Sequence, residues 1–459
     1  ILDAARADHV GCYGYARDTT PHIDALARGS LRFDHAFALA PYTLCSMPTM
    51  LTGLSFLEHG VVERGHRLAP AAHTLAEALA EAGYQTAAFT PSPNNSSRTG
   101  CDQGYEAYHE VWHGVSSWHQ ALDPDRLSRL AVEWLRTSRD PDRPLHLQLH
   151  YIPPHEPYAP PPEHDLFTDP DYRGGVDGTI ETLRAVERGE LPVSARDLDH
   201  IRALYDGNLR WADDAVGELL AELRSTPRWR DTVVLVTSDH GEAFLEHGRT
   251  GHNSTLYDEM LHVPFILRLP PGMEPTDAGL GRLVTLADVV PTLCRLAGAE
   301  AGTDLAGHDI LDRTTRRDDR FFVARSAGSR HDLGLRSLGL KIIVGSEDTA
   351  QLYELDRDPG ERHDVAGRRP GLFVGLRRLM DFLAEIGVSG AYGARIFRRY
   401  GTESIEIMTG DPLRLVEDLP RIGFALADAV IRRFDLFVDP VERAGACIRH
   451  LLHLRADQG

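Results

Sequence analysis

The chain has 459 residues, 42% of them hydrophobic and 25% charged, with a mean hydropathy of −0.29. That apolar content builds at least one large core and excludes disorder as a description of the whole. A net charge of −19 excludes a general binder of nucleic acid or anionic membrane, and no apolar run approaches the roughly 18 residues of a membrane span.

Taken in chain order, Thr19-Thr20-Pro21 reads as a cap and first-turn proline, with Ile23, Leu26 and Ala27 on one helical face. Residues 71–82 predict a helix stopped by Gly83, and 84–90 a strand. Leu145, Leu147 and Leu149 alternate with polar residues, predicting a strand that runs into the proline-bearing loop 150–158. Residues 201–223 predict a long amphipathic helix, 231–237 a short apolar strand feeding Ser238-Asp239-His240-Gly241, and 263–269 another strand-sized run. Strands alternating with helices predict an α/β fold with a mostly parallel central sheet covered on both faces. From about Phe321 the short strands FFVARS, LKIIVG and QLYELD, with a helix over 371–385, predict a small antiparallel α+β subdomain. Beyond Gly387 short helices with glycine-containing turns predict an all-α tail, so the expected divisions are 1–315, 316–385 and 386–459. The five cysteines (Cys12, Cys45, Cys101, Cys294, Cys447) are scattered without any CxxC pair, which supports neither a disulfide scaffold nor a structural zinc site.

Polar clusters follow Ile1-Leu2, Tyr151 and Val236, the strand ends where such sheets hold ligands. Asp3 ends the first strand, Thr43 opens the run TLCSMPTMLTG, and His155 lies in the loop HYIPPHEPY. Asp239 and His240 sit in SDHGE, followed by His247 and His252. Carboxylates and an imidazole at the ends of buried strands make a rigid site for one divalent cation: Ca²⁺, Mg²⁺ or Mn²⁺ on the Asp oxygens, Zn²⁺ with mixed Asp/His ligation. A hydroxyl at a helix start gains from the helix N-terminus and from such a cation, both of which lower the cost of an alkoxide. The same arrangement suits a tetrahedral oxyanion, and a histidine on a neighbouring loop can protonate a leaving oxygen. Alone, Thr43 reads as a helix cap and Cys45 as a small buried residue.

ILDAARADHVGCYGY, TTPHIDALARGS, the helix ending LTG, HYIPPHEPY, YDGNLRWADDAVGELL, TSDHGE…EHG…GH and LYELDRDPGERHDVA together resemble the sulfatase family of the alkaline-phosphatase superfamily, over residues 1–385 and in the family's order. The resemblance implies an α/β fold with a mixed, mostly parallel sheet sandwiched by helices, hydrolysing (or transferring) sulfate or phosphate esters through a covalent intermediate. Sulfatases proper use a formylglycine made from the Cys of C-x-P-x-R, ten residues before the Gly of LTG. Counting back from Gly53 reaches Thr43, and Cys45 lacks the motif, with Met47 where Pro is required and Thr49 where Arg is required. Thr43 is therefore the expected nucleophile, and phosphoester chemistry is favoured. By the same resemblance Asp3, Asp239 and His240 are metal ligands, with Thr43 bridging metal and substrate, and Ala4 stands where many members carry a second acid. His155 and His252 are expected to act on the transferring group, and Asn94, Asn95 and His247 to contact the anionic ester substrate.

Residues 386–459 resemble the helix-hairpin-helix region of RecD-like DNA helicases, through the segments around Ala394–Gly401, Asp411–Leu415 and Leu419–Asp428. Such hairpins hold a DNA phosphate on backbone N–H groups of a Gly-Ile-Gly turn; here the turn is Arg421-Ile422-Gly423, so its first glycine is missing. No GxxxxGK[ST] loop occurs, so the chain carries no helicase motor. The alternative function is thus a DNA-binding protein acting through its tail with a catalytically inactive head, and the alternative for the tail is an inert appendage. The unpaired cysteines and the DNA-binding-like tail favour a cytoplasmic setting.

Overall fold

Residues 1–3 run through the middle of a mixed sheet, with Leu2 paired in parallel to Tyr151 on one side and to Ser238 on the other. The structure, a computed structural model, describes residues 1–113, 122–273, 281–303, 305–312, 322–327, 332–345 and 350–368, together with 403–418, 423–434 and isolated positions between 378 and 446. Ile1–Arg317 with Arg325–Asp332 forms one compact unit; Asp318–Ala324 with Leu333–Gly459 forms a second.

In the first unit the helices α1 (Pro21–Ala27), α2 (Thr43–Thr52), α3 (Leu75–Glu81), α4 (Pro124–Thr137) and α5 (Ala195–Ser225) alternate with strands β1 (Leu31–Arg32), β2 (Gln85–Thr90), β3 (Ala107–Glu110), β4 (Leu145–Leu149), β5 (Val234–Thr237) and β6 (Phe265–Arg268). Strand β2 pairs in parallel with β3 and β4, while β6 lies antiparallel between β5 and β1. Residues 1–3 join the two halves: the Leu2 N–H donates to Thr237 O at 2.9 Å, the Tyr151 N–H to Ile1 O at 2.9 Å and the Asp3 N–H to Tyr151 O at 2.8 Å. The order is therefore β3-β2-β4, residues 1–3, β5-β6-β1, mixed as the resemblance implies.

One face is covered by α1, α4 and α5, whose Ile23, Leu127 and Leu209 join Leu2, Phe89, Leu149, Val236 and Ile266 in a single buried cluster. The long helix α5 starts where a Ser194–Asp197 capping box satisfies its first N–H groups, six residues before its first apolar anchor at Ile201. Similarly, the helix expected over 71–82 begins at Leu75, because Thr74 and Glu77 form a capping box. The apolar run 231–237 yields only Val234–Thr237 as strand, since Pro227–Asp231 is wound into a 3₁₀ turn. Helix α2 is buried along its whole length and stops at Gly53, whose φ of 71° is the left-handed conformation a helix C-terminus favours. Among the described residues no helix is long and apolar enough to cross a membrane.

β7 (Phe322–Arg325), β8 (Leu333–Arg336), β9 (Leu340–Val344) and β10 (Ala350–Glu354) form a four-stranded sheet in sequence order, all but Arg325 in the second unit, with β8, β9 and β10 antiparallel. β8 was not expected, because Leu333-Gly-Leu-Arg336 is short and carries a strand-weakening glycine. The helix expected over 371–385 lies outside the described residues apart from positions 378 and 382. Helical segments occur at Ser404–Gly410, Arg414–Asp418 and α6 (Gly423–Phe434), around a core of Ile396, Met408, Leu415, Leu426 and Val430. On β9 the single lysine of the chain, Lys341, is fully buried with its Nζ 2.7 Å from Glu361 Oε1. Removing one partner of a buried pair takes from the other its 2.7 Å counter-charge. Glu361→Ala is therefore expected to destabilise this unit by about 3–5 kcal/mol in denaturant unfolding, with the apolar double variant Lys341→Met/Glu361→Leu restoring most of the loss.

Candidate active site

Three neighbouring parallel segments deliver side chains to one place. Asp3 follows Leu2, His150 follows β4 and Asp239 follows Ser238 at the end of β5, so each sits at the carboxyl end of its strand. All three are buried, and each presents one ligand atom within 4.8 Å of the others. Helix α2 points its N-terminus at them. The hydroxyl of its first residue, Thr43, lies 3.4 and 3.5 Å from the Asp3 oxygens and 3.3 Å from His240 Nε2. The His240 ring is fixed by its Nδ1, 2.9 Å from the Gly241 carbonyl oxygen, which turns Nε2 toward Asp3 Oδ1 at 3.3 Å.

These separations exceed those of good hydrogen bonds, typically about 2.7–3.0 Å. They match the spacing of donors that share one ion at bond lengths of about 2.0–2.2 Å, which lie no more than about 4.4 Å apart. Two atoms of the cluster, His150 Nε2 and Asp239 Oδ2, are buried without a hydrogen-bond partner. A buried polar atom left unpaired is costly, and a cation among them satisfies both. The residues therefore fit a divalent metal ion, with Asp3, His150 and Asp239 as candidate ligands and His240 and Thr43 beside them.

The backbone between Asp3 and Arg6 is held rigidly. Ala4 adopts a φ of 61°, uncommon for a residue with a Cβ, while its N–H faces Asp239 Oδ1 at 3.3 Å and its carbonyl accepts from the Tyr205 hydroxyl at 2.8 Å. Burial pushes the Asp3 carboxyl up, but His155, His150 and His240 outweigh it and hold Asp3 well below the usual carboxylate range. His155, on the loop after β4, is pushed down by burial and more strongly up by Asp3, Glu242 and Glu156, to about 9. His252, whose ring centroid lies 4.6 Å from those of both His155 and His240, is lowered to about 3 by burial and by those two imidazoles. Their surroundings thus push the two loop histidines in opposite directions, the kind of separation that acid–base chemistry uses.

The other expected contacts fall elsewhere. Asn95 is buried, and its amide nitrogen lies 3.2 Å from His150 Nδ1. Asn94 is exposed and offers its backbone carbonyl to the Thr99 hydroxyl. His247 lies 2.7 Å from Glu259 Oε1 and stacks on Tyr257. Cys45 is buried in α2 and its thiol is pushed up to about 12 by burial, far from the reactive thiolate range. Arg421 and Ile422 lie outside the described residues, while Gly423 opens α6.

Two residues of the cluster went unassigned in the sequence. His150 occupies the sixth place of the alternating LHLQLH run, on the face opposite the leucines, and reads there as an ordinary polar strand residue. The missed signal was its place immediately after a strand end, shared with Asp3 and Asp239. Glu242 is fully buried, lies 3.1 Å from His252 Nδ1 and is raised to about 7, chiefly by burial.

The sulfatase family model matches residues 1–299, and the model of the ATP-dependent RecD2 DNA helicase HHH domain matches residues 374–459. The uncharacterized sulfatase YidJ of Escherichia coli (strain K12) is 24% identical, with 80% of this chain aligned to 82% of that protein. The arylsulfatase of Clostridium perfringens (strain 13 / Type A) is 22% identical over 91% of this chain and 98% of its own. Among solved structures, the phosphonate monoester hydrolase of Agrobacterium radiobacter shares the fold, with a TM-score of 0.68 at 20% identity over 85% of this chain and 96% of that one. Enzymes of the sulfatase family use a divalent metal ion, and the buried Asp3–His150–Asp239 group provides candidate ligands for one here. A family match across the residues that supply Asp3, Thr43, His155, Asp239, His240 and His252 places this chain in the sulfatase family of hydrolases.

Proposed function

We infer that this chain cleaves phosphoric esters, as a hydrolase or phosphotransferase, with Thr43 as the nucleophile. The observation that carries this reading is the Thr43 hydroxyl, 4% exposed at the head of α2 and within 3.5 Å of Asp3 and His240, while Cys45 is sealed inside the same helix. Asp3, Asp239, His240 and Thr43 would hold a divalent cation, which would supply Lewis acidity and lower the cost of the alkoxide.

Thr43 attacks phosphorus with its proton passing to solvent, and the Oγ–P bond forms as the bond to the leaving oxygen breaks. Thr43 sits at the N-terminus of α2, the end of a helix dipole that favours an anionic group. His155 on the neighbouring loop donates its proton to the leaving oxygen and regains one when water attacks the phosphorus, while Thr43 takes a proton from solvent as its Oγ–P bond breaks. The formylglycine hydrate of sulfatases proper expels sulfate by collapsing to an aldehyde; a threonine ester has no such exit and depends on attack by water. That difference favours phosphate mono- or diesters over sulfate esters. The test is hydrolysis of aryl phosphate monoesters, aryl phosphodiesters and aryl sulfates with added Mn²⁺, Zn²⁺, Mg²⁺ or Ca²⁺. A phosphoester is expected as the best substrate, and preference for the aryl sulfate with every metal would overturn the reading.

His155 also carries a pH signature. Its folded value of about 9 lies above its ordinary 6.5, so the stability it contributes is complete below pH 6.5 and is lost as pH rises through 9. The metal-free protein is expected to lose urea resistance over that interval, and His155→Gln to flatten that part of the profile; equal slopes in both proteins contradict the assignment.

A second role, DNA phosphate binding by residues 386–459, is supported by the family match at 374–459.

A further inference from the structure

The cluster contains one more imidazole than the ligand set above uses. His150 is completely buried, its Nε2 lies 3.3 Å from Asp3 Oδ2, and it shares the 4.8 Å group with Asp3 and Asp239. That contact lacks the alignment of a hydrogen bond, so the nitrogen has no hydrogen-bond partner. Ala4, next along the chain from Asp3, offers no side-chain donor. Building on the metal-dependent reading above, we propose that His150 is a direct ligand of the cation, making a centre of two carboxylates, two imidazoles and the Thr43 hydroxyl. Calcium and magnesium take oxygen ligands almost exclusively, whereas imidazole nitrogen suits zinc and its transition-metal neighbours. A centre with two nitrogens in this set selects a transition-metal dication over Ca²⁺ and Mg²⁺.

The surroundings of His150 can support ligation. A bound Nε2 needs its lone pair, so Nδ1 must carry the proton and donate it. Asn95, whose side chain lies 3.2 Å from Nδ1, provides an acceptor once its isosteric amide is turned to present Oδ1. Its NH₂ group then faces the Tyr108 hydroxyl, which already bonds the Asn95 backbone carbonyl at 3.0 Å and lies 3.2 Å from the side-chain amide. This is the outer support that metal-bound histidines commonly have. The competing role for His150 is to donate a hydrogen bond to Asp3 from outside the coordination sphere.

The experiment uses the metals alone. Zn²⁺ and Ca²⁺ are titrated into the metal-free full chain and into His150→Ala, and Co²⁺-loaded protein is read by paramagnetic proton NMR. The expected results are zinc binding at least about tenfold tighter than calcium, and a loss of about a hundredfold in zinc affinity in the variant with calcium affinity moving less than about threefold. Two hyperfine-shifted, solvent-exchangeable imidazole N–H signals are expected in the Co²⁺ protein and one in His150→Ala. The wild-type count stands without any variant, so poor folding of His150→Ala leaves the test intact. A single shifted signal in the wild type, or equal losses of zinc and calcium affinity, overturns direct ligation and leaves the cation site standing. No binding of any divalent cation to the wild type overturns the metal-dependent reading itself.

Discussion

Thr43→Ala is expected to reduce turnover at least about a thousandfold, because on the function proposed above it removes the side chain that forms the covalent intermediate and nothing else in the cluster replaces it. The fold should persist: Thr43 is the first residue of α2, and its hydroxyl makes only contacts of 3.3–3.5 Å to Asp3 and His240. Losing contacts of this length costs about 1 kcal/mol or less, within the reserve of a domain this size. Thr43→Ser keeps the hydroxyl on the same backbone and should retain most of the activity. The measurement is kcat on the best phosphoester of the panel, alongside thermal unfolding. Wild-type kcat in Thr43→Ala, with an unchanged melting curve, removes Thr43 from the chemistry.

Asp239→Asn should move metal affinity and metal-free stability in opposite directions. Asp239 Oδ1 is engaged by the N–H groups of Ala4 and His240 at 3.3 and 3.0 Å, contacts that an amide oxygen preserves. Its Oδ2 is buried without a hydrogen-bond partner, within a group that includes the Asp3 carboxylate. Two acids crowded together without a cation repel, so neutralising one should stabilise the metal-free protein by about 1–3 kcal/mol. Removing the anionic donor should weaken divalent-cation binding by about a hundredfold or more, above the range seen for outer-shell partners. Chemical denaturation of the metal-free proteins and calorimetric titration of the metal read the two effects. A variant that is less stable without metal, yet binds it as tightly as wild type, would show that Asp239 serves the fold and not the ion.

Asp3 and Asp239 were legible because each is an acid near the end of a short apolar run, where a parallel sheet gathers its polar ends. Thr43's place beside Asp3 was anticipated by its ten-residue distance to Gly53 within a family pattern; alone it reads as a helix cap, whereas the cap is Tyr42 and Thr43 is the first helical residue. The sequence did not reveal His150, whose alternation with Leu145, Leu147 and Leu149 disguises it as one more solvent-side strand residue. Which strand lies beside which is a long-range fact, and only the placement of residues 1–3 between β4 and β5 puts His150 beside Asp3 and Asp239. Boundaries slipped where local capping overrode hydrophobic periodicity, as at Thr74–Glu77 and Ser194–Asp197. The resemblance alone suggests Asn95 as a substrate contact; its buried place beside His150 Nδ1 depends on the packing of Tyr108 and the loop after β2.

Rapid acid quench during turnover of an aryl phosphodiester, followed by peptide mapping, asks directly which atom carries the transferred group. Phosphate on the peptide that begins α2, localised to Thr43, is the predicted result. Phosphate on any other residue, or Cys45 recovered as formylglycine, would contradict it.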